Sequence, residues 1–179
     1  MNKELYLSHK SADFWADFSF VDFDDEYLGS MMDPMAHALR AMQELENGSI
    51  ANPDEKRMVG HYWLRNPSLA PQPELSKAIE ETLEKVKGIT NSVHSGELCA
   101  EAGAFTHLLV IGIGGSALGP QFVGKALGSP LDDKLKIHFF DNTDPDGIDL
   151  TLQEIGTALS TTLVLVISKS GGTPETRNG

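Results

Sequence analysis

The sequence predicts an α/β protein: a parallel sheet in the second half, with a helical segment ahead of it. Three observations carry this. Short apolar runs at 106–111, 135–140 and 162–167 each stop at a glycine, an aspartate or a serine. Helix-patterned stretches separate them, and apolar residues of the first half recur at intervals of three or four. The run at 106–111, ending in Gly112, suits a buried parallel strand, and β-α-β-α-β is half of a doubly wound sheet.

Residues 1–30 show no clear period. Phe14, Trp15, Phe18, Phe20 and Phe23 crowd together ahead of Asp24, Asp25 and Glu26. They read as an arm that packs its aromatics onto the main body. A first helix is expected from Asp33-Pro34, an N-cap followed by proline at the first helical position, through Met35, Ala38, Leu39, Met42 and Leu45 to Gly48. A second is expected from Asn52-Pro53, with Asp54 and Glu55 at its positive end, running through Met58, Val59, Tyr62 and Trp63 to Asn66-Pro67. On that helix His61 reads as packed or capping, and Arg57 and Arg65 share roughly one face, with local carboxylates as partners. A third follows Pro73, with Leu75, Ile79, Leu83, Val86, Ile89 and Val93 on one stripe. Glu80, Glu81 and Glu84 form its solvated face. Between the strands, helices are expected at 118–127 and 148–159. His107 and His138 read as structural, and Asp141 and Asp144 as turn formers around Pro145. The organisation is thus a helical segment, 1–100, and a sheet-bearing part, 101–179. Thr173-Pro174 opens a further helix with only Arg177, Asn178 and Gly179 left, so the expectation is the front part of a longer protein.

Composition narrows the function. The chain has 179 residues, with 14 Lys+Arg against 26 Asp+Glu, a net charge of −12. That acidity argues against a nucleic-acid surface. No apolar run approaches the roughly 20 residues of a membrane span. Asp13 and Asp17 stand where a secretory signal would be apolar. Cys99 is the sole cysteine, so no internal disulfide forms, and no histidine, cysteine and carboxylate spacing resembles a metal site. A cytoplasmic protein without metal is expected.

Two loops at strand ends are built for an anion. Gly112-Ile113-Gly114-Gly115-Ser116-Ala117-Leu118-Gly119 lets backbone approach a ligand closely and leads into a helix N-terminus, with Ser116 adding a hydroxyl. Ser168-Lys169-Ser170-Gly171-Gly172-Thr173-Pro174-Glu175-Thr176 sets four hydroxyls, at 168, 170, 173 and 176, among backbone donors, with Lys169 to offset a double negative charge. Other phosphate patterns fit less well. The first loop alone satisfies the dinucleotide pattern G-x-G-x-x-[GA], with Asp141 available for a ribose hydroxyl, and a nicotinamide enzyme stays open on it. That reading leaves the second loop unexplained. Gly119–Ala126 fits G-x4-G-K, but Ala126 stands where a Ser or Thr would bind magnesium, and the stretch lies inside an expected helix.

GIGGSALGP at 112–120, SKSGGTPET at 168–176 and NPDEKRMVGHYWLR at 52–65 together resemble the glucose-6-phosphate isomerase family, from about residue 50 to the end. The family's second loop commonly reads S-K-T-x-T-T-x-E-T, so Gly172 here lacks one hydroxyl. The resemblance implies a sugar-isomerase (SIS) fold and interconversion of glucose 6-phosphate and fructose 6-phosphate through a cis-enediol, without cofactor. It implies phosphate binding by Ser168, Lys169, Ser170, Thr173 and Thr176, and Gly115 and Ser116 along the sugar. Glu175 matches a glutamate near the active site, in a supporting position. It also implies a homodimer, and catalytic residues later in the chain than these. A non-catalytic sugar-phosphate-binding module is the alternative within the same fold.

Overall fold

The computed structural model describes residues 5–179, which form two compact units that divide between Glu81 and Thr82. In the first, β1 (Tyr6–His9) pairs antiparallel with β2 (Phe14–Asp17), Tyr6 facing Asp17 and His9 facing Phe14. Asp13 takes a left-handed conformation at the turn, φ 48°. Of the aromatics expected to pack onto the body, Phe23 is half-buried and stacked on Tyr27, and the others do not pack. Phe14, Trp15 and Phe20 are exposed, because a two-stranded ribbon has no second layer to bury its faces. Residues 1–4 of that arm lie outside the described residues.

Helix α1 (Asp25–Glu46) is capped nine residues earlier than expected. Asp24 is the N-cap, its carboxylate accepting from the amide of Tyr27, with Asp25 and Glu26 in the first turn. These acids make a stronger start than Asp33, and Pro34 is carried inside the helix, where it removes one backbone donor. The end is as expected: Gly48, φ 89°, donates to Leu45 O, and Ser49 donates to Glu44 O.

The helix expected from Asn52 does not form. Asn52 and Arg57 exchange both backbone hydrogen bonds across a tight loop, and Lys56 at φ 51° ends any helical run. The cap signal was local: Asn52 Oδ1 accepts from Glu55 N, and Glu55 accepts in return from the Asn52 amide. Tertiary anchoring decides the rest. Trp63 is 5% exposed, and its indole N–H donates to Glu46 O at the end of α1, 3.0 Å away. Gly60 lies against the Trp63 ring in space a Cβ would occupy. His61 is therefore an exposed turn residue with its ring tilted 37° against that of Tyr62, not a packed helical one. Arg57 and Arg65 share no helix face, and Arg65 donates to His61 O.

Helix α2 (Pro73–Ser95) matches expectation, with Val93 buried and the pairs Lys77–Glu81 and Lys87–Glu84 on its solvated side. The sheet of the second unit holds β3 (His107–Ile111), β4 (Lys136–Phe140) and β5 (Thr162–Val166), all parallel, in the order β4-β3-β5. Helix α3 (Gly115–Leu127) links β3 to β4, and α4 (Pro145–Ile155) with a 3-10 turn (Gly156–Thr161) links β4 to β5. Helix α5 (Pro174–Asn178) follows. The α/β class and strand order in sequence are as predicted. Helix α3 starts at Gly115 rather than 118, which places Pro120, and the whole G-x4-G-K stretch, inside it. Leu109, Ile111, Phe140 and Ile155 make the core, flanked by Ile148 and Ala158.

Candidate anion-binding site

Both glycine/hydroxyl loops leave the same edge of the sheet from neighbouring strands. The chain goes from β3 out to β4 on one side and returns to β5 on the other, so the connections reverse around β3. In open parallel sheets, the crevice beyond such a reversal is where ligands sit. The two loops begin in contact. Ile167 N donates to Ile111 O at 2.9 Å, extending the β3–β5 ladder past its last strand residue. A Cβ on Gly112 would lie 3.2 Å from Ile167 O and 2.9 Å from the Cβ of Ser116. Gly112 is therefore glycine because the second loop and the start of α3 close on it from two sides.

The first loop turns at Gly114, φ 56° and ψ −125°, a conformation that disfavours any side chain at that position. The turn's backbone bonds start at Ser116 N→Ile113 O, Ala117 N→Gly114 O and Leu118 N→Gly114 O. Among the described residues, the amides of Gly114 and Gly115 enter none of these bonds and remain as donors at the head of α3. Ser116 is half-buried beside them.

The second loop closes into a cup. Gly171 N donates to Ser168 Oγ at 3.0 Å, and Gly172 N donates to Ser170 Oγ at 3.2 Å. Both serine oxygens stand 3.3 Å from Thr173 Oγ1. Gly171, at φ 70°, supplies the left-handed residue the cup needs. Each serine oxygen accepts an amide proton, so its own O–H is left to donate. The three hydroxyls carry three protons for the two contacts among them, and in each contact either oxygen can donate. Such a cup has donors to spare, which suits an anion.

Of the residues singled out in the sequence, Ser168, Ser170 and Thr173 are brought together and Gly115 and Ser116 lie on the neighbouring loop. Lys169 is exposed, and Glu175 is half-buried in the first turn of α5. Thr176 is 7% exposed and joins none of the cup's hydroxyl contacts. The two serine–glycine amide bonds went unread in the sequence, although a serine two or three residues before a glycine is their signal. Asp141 does not stand open for a ribose, since Gln121 Nε2 and Asn142 Nδ2 each hold one of its oxygens, at 2.7 and 2.9 Å.

A family model described as phosphoglucose isomerase matches residues 17–178. The chain belongs to the phosphoglucose isomerase family. It is 58% identical over 170 residues to a glucose-6-phosphate isomerase of Synechococcus elongatus, covering 94% of this chain and 32% of that protein. It is 54% identical over 178 residues to one from Geobacter sp. strain M21, covering 99% of this chain and 33% of the relative. It is 52% identical over 179 residues to the chloroplastic glucose-6-phosphate isomerase 1 of Arabidopsis thaliana, covering 98% of this chain and 29% of the relative. The phosphoglucose isomerase match reaches well ahead of residue 50, where the recognisable motifs begin. The chain spans about a third of the length of these curated relatives. Among the described residues, no helix is long and apolar enough to cross a membrane.

Proposed function

We propose that this segment supplies the phosphate grip of an enzyme that interconverts glucose 6-phosphate and fructose 6-phosphate. The observation that carries the proposal is the donor-rich cup of Ser168, Ser170 and Thr173, rooted against the glycine turn of the adjacent strand. A phosphate entering the cup accepts protons from hydroxyls that otherwise bond to one another. The amides of Gly171 and Gly172 already polarise the serine hydroxyls. Lys169 adds positive field. Neighbouring parallel strands lie about 4.8 Å apart. A sugar whose phosphate rests over β5 therefore extends across the β3 turn, where the amides of Gly114 and Gly115 and the hydroxyl of Ser116 meet its oxygens. Holding the phosphate positions the reacting carbons, C1 and C2, against a base. In this reading that base, and the acid that opens the sugar ring, come from parts of the enzyme outside residues 1–179.

The reading takes 101–179 as the beginning of a sugar-isomerase domain and 1–100 as its lead-in. It carries a homodimer and a cytoplasmic location, with the chloroplastic relative marking the other compartment to test by fractionation. The deciding experiment is the isomerase assay on a full-length protein carrying this sequence. Ser168→Ala combined with Thr173→Ala should raise KM for glucose 6-phosphate by about 10-fold or more, since each lost bond to a charged group costs about 1.5–3 kcal/mol. An unchanged KM contradicts the proposal.

A further inference from the structure

We infer that Gln121 and Asp141 are positioning residues that hold the glycine turn in its ligand-ready form, acting through α3 rather than by touching substrate. The inference rests on the phosphate reading above for its consequence, though not for its geometry. Gly112, Gly114 and Gly115 give the turn unusual backbone freedom, so its shape must be fixed from both ends. The strand end is fixed by the ladder, with Gly112 N donating to Phe140 O at 3.1 Å and Ile167 N to Ile111 O. The helix end is held lightly. Ala117 is the buried residue of α3, while Leu118, Phe122, Val123 and Leu127 are all exposed.

Among the described residues, one side-chain hydrogen bond joins α3 to another element: Gln121 Nε2 to Asp141 Oδ2, 2.7 Å and partly buried. Asp141 directly follows β4, whose last residue pairs with Ile111, so it stands beside Gly112. Its other oxygen accepts from Asn142, whose Oδ1 accepts from Asp144 N. Asp144 in turn caps α4 through Gly147 N at 3.2 Å. One polar chain thus runs along the carboxyl edge of the sheet from α3 to α4. It explains a buried-edge carboxylate that the ligand reading does not use.

The test has two readouts. In the ligand-free protein, Gln121→Ala should speed amide hydrogen exchange at Ser116, Ala117 and Leu118, whose amides close the turn onto Ile113 O and Gly114 O, by about 5- to 10-fold, the loss of one hydrogen bond. Gln121→Glu alone sets two carboxylates together and should do the same. The double exchange Gln121→Glu with Asp141→Asn rebuilds the bond in reverse and should restore the slow rates. In a full-length protein carrying this sequence, the single variants should raise KM with kcat changed less, and the double exchange should recover it. Unchanged exchange at the turn, or a double exchange that restores nothing, overturns the inference. Failure of the phosphate reading shows separately, as a KM indifferent to Ser168→Ala, and leaves the exchange result standing.

Discussion

The carbonyl oxygen of Ile167 and the α-carbon of Gly112 are so placed that a methyl group on Gly112 would come within 3.2 Å of that oxygen. One glycine thereby registers the two loops of the candidate site against each other. Gly112→Ala must push either the second loop or Ser116 aside. A loss of about 1–3 kcal/mol is expected, the usual range for overpacking, read as a lower midpoint in urea. Retained stability would show that the two loop roots are not in fixed contact.

Trp63 tests the account of the first unit. Trp63→Phe keeps most of the ring but loses the bond to Glu46 O, for about 1 kcal/mol. Trp63→Ala should cost about 3–5 kcal/mol. If the 52–65 segment were held by helix propensity instead, Trp63→Phe would be nearly neutral in chemical denaturation.

Segment 52–65 also shows where sequence reading ends. Asn52, Pro53, Asp54 and Glu55 form a genuine local cap, and nothing in that cap reveals that Trp63 is bound to the end of α1. Asp33-Pro34 misled similarly, because the stronger acids Asp24, Asp25 and Glu26 lay in a stretch with no period. The sheet was legible because each strand is a short, mainly apolar stretch that ends in a turn. The grouping of Ser168, Ser170 and Thr173 was legible because hydroxyls and glycines cluster in sequence. The Gln121–Asp141 bond was not, since its partners come from different elements and each has an ordinary local explanation.

His138 predicts a pH dependence. It is buried on β4, with Nε2 unpartnered among the described residues and Nδ1 3.7 Å from Glu154, too long for a strong pair. Burial lowers its pKa below the ordinary 6.5, with Lys136 and His107 adding to the effect and Glu154 opposing it. The fold thus favours the neutral ring. The unfolded chain binds the proton first as pH falls, so stability is full above the ordinary value and declines below it. Melting followed from pH 7.5 to 5.5 should show a steeper fall for the natural sequence than for His138→Phe. Parallel curves would remove His138 as the cause.

This chain by itself, at about a third of its relatives' length, is expected to give no isomerase turnover. Its candidate site holds donors for a phosphate, and binding without a placed base moves no proton. A coupled assay on purified 1–179 checks this, and a rate above background would place the base within these residues.

The central claim is that two neighbouring loops take one sugar phosphate. An NMR titration with glucose 6-phosphate, following the amides of Gly114, Gly115, Gly171 and Gly172, tests it most directly. Saturable shifts at both pairs with one dissociation constant, absent with unphosphorylated glucose, are predicted. Shifts confined to one loop, or equal shifts with glucose, would contradict it.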